Sequence, residues 1–390
     1  MTSTSLTVAG AHRTIDEDVE RESSPQPRRT VVRSLAVERP SDPASDRPRP
    51  LRARTFDDYA GLFGSLAASF ALCWVIYVFV LPFSGLIGFF VLWYLSFIAF
   101  YVAVSAMSNP RPLVVDRVAS AVISGGALIT GAALVSTVGF TFLRGYHALF
   151  HLNFLTKDMA AVGPQDPLNK GGILHAIVGS LIEIGIAVAI TLPLGVGTAV
   201  YMVEIGGRAS RVVRTVVEAM TALPSVIAGL FVYTVLIVDI QFPKTGFAAA
   251  MAISVMMLPI IARASDVVLR VVPSGLREAS QALGASRWQT VWRVVLPTAR
   301  PGLATALILG IARGIGETSP VLLTSGASTF FNANPVSAPM NSLPLYTYFA
   351  VRSGEPLYIE RGFGAASALL TIVLILFVTA RLLARQRQSR

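Results

Sequence analysis

Between Ala60 and Met107 the chain carries no charged side chain for 48 consecutive residues. A helix needs about 20 apolar residues to cross the hydrocarbon core of a bilayer, so this run is long enough for two crossings. Backbone amides without water must bond inside their own segment, which leaves helices as the form those crossings take. Composition agrees, with 53% apolar and 14% charged residues, where soluble proteins carry about 25% charged residues. A water-soluble globular enzyme is excluded on that ground. A disulfide scaffold is excluded as well, because Cys73 is the single cysteine. The histidines, His12, His147, His151 and His175, lack the spacing of metal ligands.

Pro82, Ser84 and Gly85 break the uncharged run and predict two spans, near 60–81 and 84–107. Further apolar runs at 118–143, 173–204, 216–238, 246–269, 298–325 and 361–381 bring the expected total to eight. The fold class that follows is an all-α polytopic membrane protein. Residues 1–59 hold ten Arg, ten Asp or Glu and six Pro. Such a segment buries too little apolar surface to offset its ordering entropy, which predicts a disordered tail. No short apolar stretch follows a basic start, so it does not read as a secretory signal. Of the 32 basic residues, 25 fall in segments on the N-terminal side of the alternating topology and six on the other. The positive-inside rule then places both termini in the cytoplasm. The net charge of +10 speaks of orientation in a lipid bilayer rather than of a nucleic-acid partner.

The segment from Val272 to Pro297 stands on the cytoplasmic side in this topology. Pro273 and Ser274 start a short helix and Gly284 ends it. A second amphipathic stretch places Trp288, Val291, Trp292 and Val295 at helical spacing. Spacing alone fits an interfacial helix with tryptophan anchors as well as a docking knob. The pattern resembles the EAA loop of ABC-importer permeases, with Glu278, Ala279, Gly284, Leu296 and Pro297 in register, Ser280 at the third position and Val294 in place of Ile. The resemblance implies that this loop seats in a groove of an ATP-binding subunit, with Gly284 making a tight turn and Glu278 bonding to the groove. No G-x-x-x-x-G-K-[ST] phosphate loop occurs around Lys157, Lys170 or Lys244. The chain is therefore expected to be a transport subunit without its own ATP site, with ATP and Mg held by a partner ATPase dimer.

In the seventh span Arg313 and Glu317 stand four residues apart, the spacing of one helix face. An Arg at mid-membrane costs at least about 2.5 kcal/mol on insertion scales, so it belongs against an interior cavity. Gly310, Gly314 and Gly316 thin the helix around it and leave room for a ligand or a neighbour. Two readings stand: an ion pair that locks packing, or an anion site, since a guanidinium fork matches phosphate or carboxylate oxygens. Glu317 accepts a hydrogen bond from a protonated oxygen, which phosphate offers at neutral pH and sulfate does not. Glu183 either lines the same pathway, pairs with Arg313, or is buried against a polar neighbour. Pro224 in the fifth span and Pro320 just past Glu317 remove backbone donors and break their helices. Glu204 and Glu218 are expected to snorkel to water.

The stretch Ala312–Thr324 resembles the signature of phosphate-specific importer permeases of the PstA type, and so do Thr191–Ile205, Leu223–Leu230 and Asn341–Tyr348. The likeness covers residues 120–385 and implies a five-helix MetI-like core at 173–385, with the loop 272–297 inside it. It places Arg313, Glu317, Thr318 and Glu183 along the substrate pathway. It implies a homologous permease, two copies of an ATPase and an extracytoplasmic phosphate-binding protein as partners, in the plasma membrane of a prokaryote. Aromatic and charged residues in the outer segments 144–172 and 326–360 suit either docking of that binding protein or an interfacial belt. The usual pattern has one helix before the core, whereas three are predicted here, at 60–107 and 118–143. Another oxyanion such as sulfate or molybdate is the alternative cargo. A secondary transporter is the alternative class, though hydropathy shows no inverted repeat.

Overall fold

The computed structural model describes residues 56–80 and 85–385. Apolar runs without water to solvate them fold as helices, and the described residues are helical throughout their long segments. Seven helices are long and apolar enough to cross a membrane: Tyr59–Val80, Leu86–Met107, Arg111–Leu149, Leu174–Ile205, Gly246–Val271, Arg287–Gly314 and Pro356–Leu382. An eighth crossing would have to be the pair Gly207–Thr221 and Ser225–Asp239, which is bent by 105°. The tail expected to be disordered lies outside the described residues, apart from residues 56–59, which open the first helix.

Two compact units divide the chain at Ala121 and Val122. In the first, α1 (Phe56–Val75) ends in a π-helical turn, Ile76–Val80, and α2 (Leu86–Ser108) follows. The predicted break holds: Gly85 caps α2 with φ 141°, while Pro82 and Ser84 lie outside the described residues. The two helices pair through aromatic rings. Phe70 meets Trp93 edge-on at 5.5 Å, and Tyr77 meets Phe89 at 5.4 Å. Edge-to-face rings attract through their quadrupoles as well as by area. Helix α3 (Arg111–Leu149) has 39 residues, about 58 Å of helix. It overruns the predicted span 118–143 at both ends, because Pro112 is tolerated in a helix's first turn and no proline follows before its end.

The second unit holds the core. It comprises α4 (Leu152–Thr156), α5 (Leu174–Val200), α6 (Gly207–Thr221), α7 (Ser225–Val232), α8 (Gly246–Val271), α9 (Ser274–Ala282), α10 (Arg287–Thr290), α11 (Leu296–Gly314), α12 (Ser319–Thr324), α13 (Leu343–Arg352) and α14 (Pro356–Arg385). Helices α5 and α8 face each other along small residues. Ala187 and Ala199 on α5, and Ala248, Ala249, Ala252 and Ala262 on α8, are all fully buried. Close backbone approach is what drives helix pairing where lipid is as apolar as leucine. Helix α8 is also the surface for α11, whose Gly310 and Gly314 leave no space for a β-carbon beside Ile261 and Met257.

Two predicted spans are corrected. The run 216–238 is not one helix: the chain turns between Thr221 and Ser225, with Pro224 extended (φ −60°, ψ 140°) as the cap of α7. Proline has no amide to continue α6 and pushes the residue before it out of helical geometry. The run 298–325 is displaced toward the N-terminus. Its helix begins at Arg287, passes through a π turn at Val291–Val295 and ends at Gly314. The second amphipathic stretch is therefore the start of this span and not a separate knob. Val295 is buried with Ala199, Leu269 and Ala299, and Val291 is buried too, while Trp288 and Trp292 point outward and meet edge-on at 5.6 Å.

Candidate substrate pathway and docking loop

Arg313 is the penultimate residue of α11, where a cation is favoured by the exposed carbonyls of the helix end. Glu317 lies beyond that end, so the pair does not share a helix face as the spacing predicts. The chain turns at Ile315 and Gly316, and Glu317 comes back under Arg313 with Oε1 2.9 Å from Nη2. The Glu317 side chain is 8% exposed and that of Arg313 55%. Oε1 receives no aligned hydrogen bond, so the contact is an ion pair without a directed N–H. The guanidinium borders a cavity of about 60 Å³ together with Thr221, Leu223, Ala228, Met256 and Ile260.

The segments that follow the two helix breaks pack on each other. Pro320, in the first turn of α12, packs on Gly229 of α7, where a β-carbon would stand 2.5 Å from the proline Cα. Thr318 caps α12 without a side-chain hydrogen bond to the helix. Of the three glycines expected to make room, Gly310 and Gly314 admit a neighbour, α8, and only Gly316 faces open space. Glu183 is fully buried in the middle of α5, and its Oε1 has no hydrogen-bond partner. It is not the partner of Arg313. The adjacent Ile184 nonetheless packs where Gly314 would carry a β-carbon, so the turn of α5 that holds Glu183 lies against the end of α11.

The loop between α8 and α11 forms as its punctuation predicts. Pro273 caps α9, and Gly284 ends it with φ +84° and nothing within 4 Å of a would-be β-carbon. Glu278, Ala279 and Gly284 are exposed, and Leu283 is 90% exposed. Leu296 and Pro297 are half-buried where α10 runs into α11. Ser280 and Thr290 join α9 to α10 by a 3.0 Å hydroxyl contact. Ser286 and Gln289 close a reciprocal cap at the start of α10.

Three ionic groups were not visible as sites in the sequence. Arg277 bonds to Glu204, which is not snorkelling: its side chain is 14% exposed and meets Arg277 Nη2 at 2.8 Å. Glu218 is exposed as expected. Asp266 on α8 accepts from Arg214 on α6 at 2.9 and 3.1 Å, and from Arg270 at 3.1 Å. Only the Asp266–Arg270 spacing of four carries a sequence signal. Arg361 is fully buried near the start of α14. Its Nη2 donates to the carbonyls of Asp166, Pro167 and Lys170 at 2.9, 2.9 and 3.1 Å.

Helices of membrane length, a half-exposed cation at a helix break and an exposed helical loop at one end of the core define a multi-span membrane transport subunit. The family of binding-protein-dependent transport system inner membrane components matches residues 191–388, and the chain belongs to it. Similar proteins include the phosphate transport system permease protein PstA 1 of Mycobacterium tuberculosis, 38% identical over 251 residues, which are 64% of this chain and 82% of the relative. The PstA protein of Mycobacterium leprae is 37% identical over 247 residues, covering 63% of this chain and 81% of the relative. Among solved structures, an inward-facing MetNI methionine ABC transporter matches with a TM-score of 0.41 at 21% identity, covering 55% of this chain and 92% of that one.

Proposed function

We propose that the chain is the permease subunit of an ATP-driven importer of inorganic phosphate. It forms the pathway with a homologous permease and draws on two partner ATPase chains that bind ATP and Mg. The observation that carries this reading is Arg313, whose side chain is half exposed and which lines a small cavity at a break in a membrane helix. A half-exposed cation with free donors suits an oxyanion. The similarity to phosphate transport permeases favours phosphate as that oxyanion. Glu317 holds the guanidinium when the site is empty and accepts from a P–OH group when phosphate is present. Thr318 and Glu183 stand near the same break, and the broken helices capped by Pro224 and followed by Pro320 give the cavity a wall that can move.

The exposed face of α9, with Glu278, Ala279 and Gly284, seats in the ATPase. The excess of basic residues supports a cytoplasmic position for this loop and both termini. An extracytoplasmic phosphate-binding protein then meets the segments 144–172 and 326–360. The test is uptake of orthophosphate by the complete complex in vesicles. Arg313→Gln is expected to abolish uptake while the subunits still co-purify; unchanged uptake contradicts the site. Sulfate transported as fast as phosphate contradicts the role of Glu317. Gly284→Val puts a β-branched residue at φ +84°, a strain of roughly 1–2 kcal/mol. The ATPase is expected to co-purify less well with that variant.

A further inference from the structure

Glu204 sits in the π turn Tyr201–Ile205 that ends α5. An acid there opposes the negative end of the helix dipole, so the position is unfavourable for a carboxylate on local grounds. It is compensated from 73 residues away. Arg277, on α9, donates from Nε to Glu204 Oε1 at 3.0 Å and from Nη2 to the same oxygen at 2.8 Å. The same guanidinium donates from Nη1 to the Val272 carbonyl at 2.7 Å and from Nη2 to the Leu269 carbonyl at 2.9 Å. These are carbonyls at the end of α8, which have no partner inside their own helix. One side chain therefore pins α9 to the ends of two core helices at once. The neighbouring residues Glu278 and Ala279 are left free on the outer side of α9.

α5 also carries the turn at Glu183 and Ile184 that lies against the end of α11 beside Arg313. A displacement of α9 consequently has a charge-bonded route, along about 30 Å of the α5 rod, to the break that holds the guanidinium. We infer that Arg277 is a positioning residue that transmits movement of α9 to α5 through Glu204, coupling the ATPase stroke to access at Arg313. The inference rests on the proposed docking of α9 to an ATPase and adds the internal link that makes the docking useful.

The test compares phosphate moved with ATP hydrolysed in the complete complex reconstituted in vesicles with its phosphate-binding protein. Glu204→Ala removes the acceptor on α5 while Arg277 keeps its two carbonyl bonds on α8, and alanine suits a helix end better than the acid it replaces. The expected result is an ATPase that co-purifies in wild-type amount and hydrolyses ATP within about twofold of wild type, with phosphate moved per ATP down at least about fivefold, a difference of about 1 kcal/mol in coupling. Arg277→Lys keeps the charge but cannot span a carboxylate and two carbonyls together, so it is expected to give an intermediate ratio. A wild-type ratio in Glu204→Ala overturns the inference. Loss of the ATPase from that variant also overturns it, because the pair would then shape the docking face instead of transmitting its motion. A wild-type complex that hydrolyses ATP without moving phosphate overturns the reading beneath it and the inference with it.

Discussion

Two arginines in membrane helices of this chain have opposite surroundings. Arg361, near the start of α14, is wholly buried and spends its guanidinium on backbone carbonyls of the segment between Gly163 and Lys170. Arg313, at the end of α11, is half exposed, has one acid beside it and faces a cavity. A cation whose Nη donors are taken by the main chain shapes the fold, since carbonyls cannot leave. A cation with open donors next to a single carboxylate is available to exchange partners. The same residue type thus serves as a fastener at one place and, in the proposed function, as a receptor at the other.

The largest expected effect tests the fastener. Arg361→Leu takes away three charge-assisted hydrogen bonds to carbonyls at about 1.5–3 kcal/mol each, a large share of the roughly 5–15 kcal/mol that holds a domain together. Its amount in the membrane should fall at least about tenfold, measured by immunoblot, and a normally abundant protein would erase the contrast between the two sites. Arg313→Gln should leave that amount unchanged and reduce phosphate uptake by roughly 100-fold, as expected for two lost charge-assisted bonds. Glu317→Gln is predicted to cost about 0–1 kcal/mol in stability, because its partner is half solvated. Its main effect should be on selectivity, read as sulfate inhibition of phosphate uptake rising by about tenfold for 1.4 kcal/mol.

Asp166 gives the smallest and most pH-dependent effect. The Gly163 amide and then the Lys170 ammonium hold its carboxyl below the usual carboxylate range, whose reference value is 3.8. A carboxyl with a depressed pKa adds stability above its unfolded value and loses it as pH falls through the folded value. Asp166→Asn should therefore lower the melting temperature slightly at pH 7, and the difference from wild type should close only below pH 3.8. A difference that grows in acid would mean that the segment gripped by Arg361 is held by something other than this carboxylate.

Most spans were legible because the solvent dictates them: an uncharged stretch of membrane length has one stable form. The misreadings have specific causes. Hydropathy continues unbroken through Thr221–Ser225, and a proline that kinks a helix looks the same in sequence as one that caps the next. The spacing of Arg313 and Glu317 suggested a helical face, but Gly314 and Gly316 let the helix stop between them. Glu204 and Arg277 could not be paired by eye, since 73 residues separate them. Arg361 left no trace at all, because every residue type offers the carbonyl it uses. The first helix of the EAA-like loop was legible, with Pro273 and Gly284 marking its ends, whereas its second amphipathic stretch is the start of the next span.

The sharp turn after α6 has a consequence for the lipid around it. Beyond Pro224, α7 and its π extension run from Ser225 to Asp239, a rod of about 22 Å beside a hydrocarbon layer about 30 Å deep. Acyl chains cannot shorten locally by that amount without strain, so the missing depth is better filled by another polypeptide than by lipid. The flank bearing Val226, Ile227, Leu230 and Phe231, each more than half uncovered, is the surface along which that depth is short.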